Sequence, residues 1–325
     1  MTNNLSIIGA GAWGSALAIA LSDNFDTIFL HAHTQKEVDT LQPKHPALSV
    51  NYASNIKLTF DLSHVQDSHS VLIAVPSYGF TSTLKTLQPL LTEKQSVAWA
   101  TKGFDTDGQC FLHESFESIL DKHPSCVISG PSFAFEVASR KPTALSVAAK
   151  DKRIQDHWAQ VLNTQALRAY TNDDVIGVEV GGSVKNILAI AAGIAAGLNY
   201  GASAQAALIT RGLAEMIRLG VALGANTSTF NGLSGLGDLV LTCSDDLSRN
   251  RQFGKALAKN QNTKQALNSV GATVEGLNTL GLVLSQAKNH QIEMPICEQV
   301  KQVVDGQVTP TQAVNRLMSR VQIHE

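Results

Sequence analysis

The chain has 325 residues, long for one domain and comfortable for two, and its 44% hydrophobic and 16% charged content is globular rather than disordered. A formal net charge of −2 leaves no broad positive field, which argues against a general nucleic-acid binder or a protein drawn to anionic membranes. Any bound phosphate must therefore meet a local cluster of cations.

Cysteine usage and the termini add to these bounds. Cys110, Cys126, Cys243 and Cys297 are far apart and form no metal-ligand or redox spacing, which fits a reduced, cytoplasmic protein with buried thiols. The stretch Met1-Thr2-Asn3-Asn4-Leu5 has no basic region and runs straight into a strand pattern, so no signal peptide is expected. The uncharged segment from Asn186 to Thr210 is the one membrane suspect. Its unbroken apolar run, Ile187 to Leu198, falls short of the roughly 20 residues a span needs. A buried core helix is the expectation, with no stable membrane insertion.

The first readable element is a strand over residues 5–8. Gly9-Ala10-Gly11-Ala12-Trp13-Gly14 follows at once, and residues 15–21 carry a helix pattern. Strand, G-x-G-x-x-G and helix in that order form the dinucleotide-binding fingerprint in its required context. Gly9 makes the turn, Gly11 admits the pyrophosphate to the backbone, and Gly14 lets helix and strand pack closely. The free N–H groups and dipole of the helix start favour the anion. A second strand, residues 27–31, ends in Ala32-His33-Thr34, with Glu37 the first acid after it. With no carboxylate at the strand end to repel a 2′-phosphate, NADP is tolerated or preferred, and NAD remains open. A metal site on His31 and His33 lacks further ligands, so no metal is expected.

Apolar runs at residues 71–75, 96–100, 126–129, 143–148 and 167–170 alternate with helix patterns at 80–91 and 153–162. This implies a mostly parallel sheet covered on both faces. The runs end in polar or glycine loops, Pro76-Ser77, Lys102-Gly103 and Gly130-Pro131-Ser132, on the edge where open parallel sheets bind ligands. From about Val175 strand signals nearly vanish. Residues 175–198, 204–223, 250–260, 274–289, 296–304 and 309–321 carry helix patterns. The fold class is thus an α/β Rossmann-type N-terminal domain, residues 1–178, followed by an all-α C-terminal domain, residues 179–325, that would carry the substrate and the catalytic group.

Three stretches of the second half bear chemistry. Gly232-Leu233-Ser234-Gly235-Leu236-Gly237-Asp238 is a glycine-rich loop that ends on an acid, either a close backbone approach or a surface connection with a capping aspartate. Ser248-Arg249-Asn250-Arg251 gathers hydroxyl, amide and guanidinium donors at a predicted helix start, a set suited to phosphate. Glu275 stands at another helix start. Lys185, in Gly182-Ser183-Val184-Lys185-Asn186, is the last ammonium before the uncharged segment. A lysine there either snorkels or is desolvated for a purpose. Ketone reduction needs a proton donor, and a lysine serves if desolvation or a neighbouring cation brings its pKa towards ~7–8.

Taken in order, Gly9–Gly14, Trp99-Ala100-Thr101-Lys102-Gly103, Ile128-Ser129-Gly130-Pro131-Ser132-Phe133-Ala134, Gly182–Asn186, Gly235-Leu236-Gly237-Asp238-Leu239 and Ser248–Arg251 form a set. It resembles the bacterial NAD(P)-dependent glycerol-3-phosphate dehydrogenase family over nearly the whole chain. The resemblance implies a C-terminal domain like that of 6-phosphogluconate dehydrogenases. It also implies interconversion of dihydroxyacetone phosphate and sn-glycerol 3-phosphate for phospholipid synthesis. Lys185 would be the proton donor in reduction and the acceptor in oxidation. Lys102, Gly130, Ser132, Lys185, Asp238, Ser248, Arg249 and Asn250 would surround the substrate. Beside Gly9, Gly11, Ala12 and Gly14, the residues Trp13, His33, Lys102, Ala134, Arg249 and Glu275 would contact the NAD or NADP cofactor. Ala12 stands where many relatives carry a serine, which removes one phosphate contact and leaves the glycine turn intact. The competing readings are a reductase of a hydroxyacid or imine, which would not need the 248–251 cluster, and a nicotinamide-nucleotide sensor, which would not need Lys185, Asp238 and Arg249 as a set. The oligomeric state is left open, a homodimer among the options.

Overall fold

Residues 3–259 and 262–320 are described by the computed structural model, and the chain divides into two units, Met1–Glu179 and Val180–Glu325. Met1, Thr2, Asn260 and Val321, which the sequence reading assigned to the N-terminal lead and to two helix ends, lie outside the described residues. In chain order the strands are β1 (Asn4–Ile8), β2 (Thr27–His31), β3 (Ile56–Thr59), β4 (Ser70–Ile73), β5 (Ser96–Trp99), β6 (Phe104–Asp105), β7 (Cys110–Phe111), β8 (Ser125–Ser129), β9 (Thr143–Ala148) and β10 (Leu167–Asn172). Eight of them form one sheet in the order β10-β9-β8-β5-β4-β1-β2-β3. Every pair in it is parallel except β8 with β9. β6 and β7 make a separate antiparallel hairpin.

Alternation along the central strands sends side chains to two cores, as a pleat with period two requires. Leu5, Ile7, Leu72, Ala98 and Ile128 join one core with Leu17, Leu21 and Trp158. Ile8, Val71, Ile73, Val97, Trp99 and Val127 join the other with Phe80, Leu84 and Phe116. Burial of each such large apolar side chain contributes roughly 1.5–3 kcal/mol. Both faces are therefore covered, which is why these strands read as continuous apolar runs.

The sheet grows from β1 in two directions, β2 and β3 to one side and β4 to the other. The N–H of Ala74 donates to the carbonyl of Ile8 at 2.8 Å, so the carboxyl ends of β1 and β4 lie side by side. That is the switch point at which open parallel sheets take ligands. β3 and the β6–β7 hairpin are additions to the sequence reading. β3 is a four-residue edge strand, Ile-Lys-Leu-Thr, too short and too mixed to register as an apolar run.

Inside the first unit Glu179 is a buried carboxylate. It accepts hydrogen bonds from Trp99 Nε1 (3.1 Å), the backbone N–H of His113 (3.1 Å) and His113 Nδ1 (2.6 Å). Burial raises the Glu179 carboxyl despite these donors. Burial opposes the His113 imidazolium, but the hydrogen bond and charge of Glu179 outweigh it and move His113 upward.

The second unit is helical among its described residues. Its helices are Val175–Gly197, which begins in the first unit, then Ala202–Ala222, Thr227–Phe230, Asp238–Ser244, Arg249–Ala258, Thr263–Val270, Glu275–Asn289, Pro295–Val304 and Pro310–Met318. Asp174 starts the first of these by accepting from the N–H of Gly177 at 2.8 Å, a side-chain cap. That helix is long and apolar enough to cross a membrane, yet 89% of its most apolar window is buried inside the protein. It packs backbone to backbone on Arg249–Ala258. A Cβ on Gly193 would strike the carbonyl of Arg251, and one on Gly254 would strike the carbonyl of Ile190. At another point of the unit, buried Glu215 accepts from the N–H groups of Ile296 (2.6 Å) and Cys297 (3.3 Å), at the start of Pro295–Val304.

Candidate active site

The nucleotide end of the first unit is made of main chain. Gly9 has φ of +110° and its N–H donates to the carbonyl of His31 at 3.0 Å. A Cβ on Gly14 would run into the carbonyl of Gly9, whereas Gly11 faces open space. Helix Ala12–Leu21 therefore starts hard against β1 with Gly11 at its N-cap and no side chain on its free N–H groups. A turn this closely packed, with an open approach at Gly11, fits a dinucleotide pyrophosphate. Ala12 and Trp13 form the first helical turn. The Trp13 ring packs against the core, and its buried Nε1 has no hydrogen-bond partner. Ala134 opens helix Ala134–Ala138 and also packs against that core.

At the end of β2 the structure amends the sequence reading. His33 is exposed, and its backbone N–H donates to Glu37 Oε2 at 2.7 Å. Thr34 caps helix Gln35–Leu41 through the N–H of Glu37. The turn folds back and returns Glu37 to the strand end that had been read as lacking an anion. Lys102, Gly130 and Ser132 are brought together: Lys102 Nζ donates to the carbonyl of Gly130 at 3.0 Å, and Ser132 Oγ donates to the same carbonyl at 3.1 Å. Adjacent strands β5 and β8 deliver these loops.

In the second unit Lys185 and Asp238 form a buried ion pair, Nζ to Oδ1 2.6 Å, with side chains 7% and 1% exposed. Lys185 also donates to Thr242 Oγ1 (3.0 Å), and Thr242 donates to the carbonyl of Asp238 (2.6 Å). Burying two such charges costs several kcal/mol per ion, and the pair survives only where further hydrogen bonds complete it. Thr242 supplies them, and Asp238, in the first turn of Asp238–Ser244, gains from the helix dipole. The neighbour of Lys185 is an anion, not the cation that the sequence reading offered as one way to favour the neutral amine. Burial pushes the thiol of nearby Cys243 up to about 12, with Lys185 and Arg251 partly opposing it, so that cysteine stays protonated.

The glycine-rich loop is no surface connection. Leu233–Gly237 forms a π-helical turn that runs into the helix of Asp238, and a Cβ on Gly181 would strike the carbonyl of Ser234. π-turns of this kind recur at functional sites. The 248–251 cluster divides by role. Ser248 caps the helix start by accepting from the N–H of Arg251 (3.3 Å). Arg251 is tied to the carbonyl of Cys243 (2.9 Å) and to Asp246, so it is structural. Arg249 is exposed, and Asn250 is buried. Asn250 Nδ2 donates to Asn186 Oδ1 (3.0 Å), and the N–H of Gly276 donates to Asn250 Oδ1 (2.9 Å). Asn186 Nδ2 donates to Glu275 Oε2 (3.2 Å). Two polar networks thus lie on consecutive residues of one helix: Lys185 with Asp238 and Thr242, and Asn186 with Asn250 and Glu275. Neither Asn186 nor Thr242 carried a role in the sequence reading. Thr242 was legible as the residue one helical turn beyond Asp238, and Asn186 as the amide beside the lysine. Among the described residues no group of acids, histidines and cysteines could hold a metal.

Known proteins resemble this chain along its whole length. Models of the NAD-dependent glycerol-3-phosphate dehydrogenase N-terminus and C-terminus match residues 4–155 and 174–315. The glycerol-3-phosphate dehydrogenase [NAD(P)+] of Ruthia magnifica subsp. Calyptogena magnifica is 66% identical over 325 residues, all of both chains. That of Idiomarina loihiensis is 43% identical over 98% of each. A crystal structure of glycerol-3-phosphate dehydrogenase from Coxiella burnetii superposes with a TM-score of 0.93 at 42% identity, over 98% of this chain and 99% of that one. The chain belongs to the NAD(P)-dependent glycerol-3-phosphate dehydrogenase family.

Proposed function

We propose that this chain reduces dihydroxyacetone phosphate to sn-glycerol 3-phosphate, reversibly, in the cytoplasm and in the service of phospholipid synthesis. The observation that carries the reading is the buried Lys185–Asp238–Thr242 trio beside the helix start of Ser248, Arg249 and Asn250. An ammonium and a phosphate-type donor set carried on helices that pack together suit a phosphorylated ketone. A bound nicotinamide cofactor, NADH or NADPH for reduction, would supply the hydride that the substrate carbon accepts, and NAD or NADP would take it back in oxidation. It would lie on Gly9, Gly11, Ala12, Trp13 and Gly14, with His33, Lys102, Ala134, Arg249 and Glu275 as further contacts.

The protein's own part is electrostatic and acid–base. Lys102, Gly130, Ser132, Ser248, Arg249 and Asn250 orient the substrate, Arg249 as the exposed cation for its phosphate. Lys185 Nζ donates a proton to the carbonyl oxygen as negative charge develops there, and in oxidation it takes the hydroxyl proton back. Asp238 and Thr242 hold Nζ in place and keep the ammonium charged until it is needed. Reduction leaves a neutral amine beside Asp238, which is reprotonated from water after release.

The test is consumption of NADH or NADPH by purified protein given dihydroxyacetone phosphate. Oxidation of either cofactor, dependent on the ketone, supports the reading, and no turnover with both would end it. A hydroxyacid reductase would instead turn over an unphosphorylated keto acid.

A further inference from the structure

We propose that Asn186 is a positioning residue that couples Glu275 to Asn250, and so couples the cofactor contact to the substrate contact of the helical unit. The inference rests on the roles given above to Glu275 and Asn250. Its basis is a closed circuit of hydrogen bonds. Asn186 Nδ2 donates to Glu275 Oε2, Asn250 Nδ2 donates to Asn186 Oδ1, and the N–H of Gly276, the residue after Glu275, donates to Asn250 Oδ1.

The polarity of this circuit is set at both ends. A backbone N–H can only donate, so Gly276 forces the oxygen of Asn250 towards itself and turns the amino group of Asn250 to Asn186. A carboxylate can only accept, so Glu275 draws the amino group of Asn186 and presents its oxygen to Asn250. Neither carboxamide can flip without breaking two bonds. Both are buried, 3% and 7% exposed, where water cannot compensate a lost partner. The space is equally tight. A Cβ on Gly276 would lie 2.8 Å from the carbonyl oxygen of Asn186 and 2.9 Å from Asn250 Oδ1.

Lys185 and Asn186 are consecutive on one helix and serve different partners, Asp238 and Thr242 for the first, Glu275 and Asn250 for the second. A ligand that meets the Glu275 carboxylate also fixes Asn186, whose oxygen holds one N–H of the Asn250 amino group and so aims the other at a phosphate oxygen. Such coupling is reciprocal, so substrate must alter cofactor affinity by the same factor.

The test uses the full-length enzyme and two readouts, KM for dihydroxyacetone phosphate at saturating cofactor and thermal stability. Asn186→Leu should raise that KM by about 10-fold, the size expected for a buried hydrogen-bond couple. It should also abolish the effect of Glu275→Gln on the same KM. Asn186→Asp keeps the acceptor for Asn250 but sets an acid against Glu275. Adding Glu275→Gln restores a donor facing the introduced carboxylate, so the double variant should recover most of the KM lost in Asn186→Asp. Lowered stability with an unchanged KM, or failure of Glu275→Gln to rescue Asn186→Asp, would overturn the proposal. If Asn250→Ala itself left KM unchanged, the substrate role of Asn250 would fall, and the coupling with it. An effective Asn250→Ala with a silent Asn186→Leu would remove the coupling alone.

Discussion

Asp238 and Glu215 are both buried acids of the helical unit, at 0% and 1% exposure, yet their surroundings treat the charge in opposite ways. Asp238 faces the ammonium of Lys185 at 2.6 Å and a threonine hydroxyl one helical turn away. Glu215 faces two backbone N–H groups at a helix start and forms no ion pair among those described. Burial pushes the Glu215 carboxyl from 4.5 up to about 7, against the pull of Ile296, Cys297 and Arg218. The Glu215 region spends its acid on joining two helices. The Lys185 region uses its acid to hold a buried ammonium.

That contrast breaks first at the lysine. Lys185→Ala should lower kcat by about 10²- to 10⁴-fold, the range of a lost general acid, while cofactor binding persists. It also strands Asp238, a loss of roughly 3–5 kcal/mol of stability. Lys185→Arg keeps the pair charged, so its melting temperature should stay near that of the parent while kcat still collapses. A Lys185→Arg variant with near-normal kcat would take the lysine out of proton transfer. Arg249→Ala comes next. Loss of a charge-assisted contact of about 1.5–3 kcal/mol raises KM for the phosphorylated ketone by about 10- to 100-fold. An unchanged KM would return Arg249 to the solvent surface.

Glu215 sharpens the comparison from the other side. The folded chain binds the Glu215 proton more tightly than the unfolded chain does. The stability attached to that proton is thus complete below about pH 4.5 and is lost as pH rises to about 7. A shift of this size corresponds to something on the order of 3 kcal/mol. Denaturant unfolding at pH 5 and pH 8 should show that loss in the parent and a flatter profile in Glu215→Gln, with kcat unaffected at either pH. Equal pH slopes would show that Glu215 is already ionised without cost. The smallest effect belongs to the first unit, where Glu37 lies at the end of β2. Its charge is exposed, so Glu37→Gln should improve kcat/KM for NADPH relative to NADH by only about 2- to 5-fold. An unchanged ratio would leave Glu37 a helix cap only.

The sheet and the long helices were legible because burial on two faces, or on one stripe, imposes a period on the sequence. β3, the β6–β7 hairpin and the π-turn were not, since two to five residues carry no period. The motifs likewise placed Lys185, Asp238 and Asn250 in the chain but not their partners. That Arg251 is spent on Asp246, that Asn186 faces Glu275 and Asn250, and that Glu37 folds back to His33 are facts of three-dimensional proximity. Composition is silent about them. The cation cluster looked like four phosphate donors in a row, and folding assigns them different tasks.

The helix Val175–Gly197 has a consequence for how such proteins are found. It passes a length-and-hydropathy test for a membrane span because it is enclosed by its own protein, which leaves it almost no wet face on which to carry charge. The same enclosure keeps Lys185 out of water. An automated screen that discards chains with one apolar helix would therefore discard this enzyme on account of the very segment that carries the buried Lys185. Gly193 and Gly197, four apart on that helix, are where the backbone of Arg249–Ala258 comes closest, so the segment runs through protein.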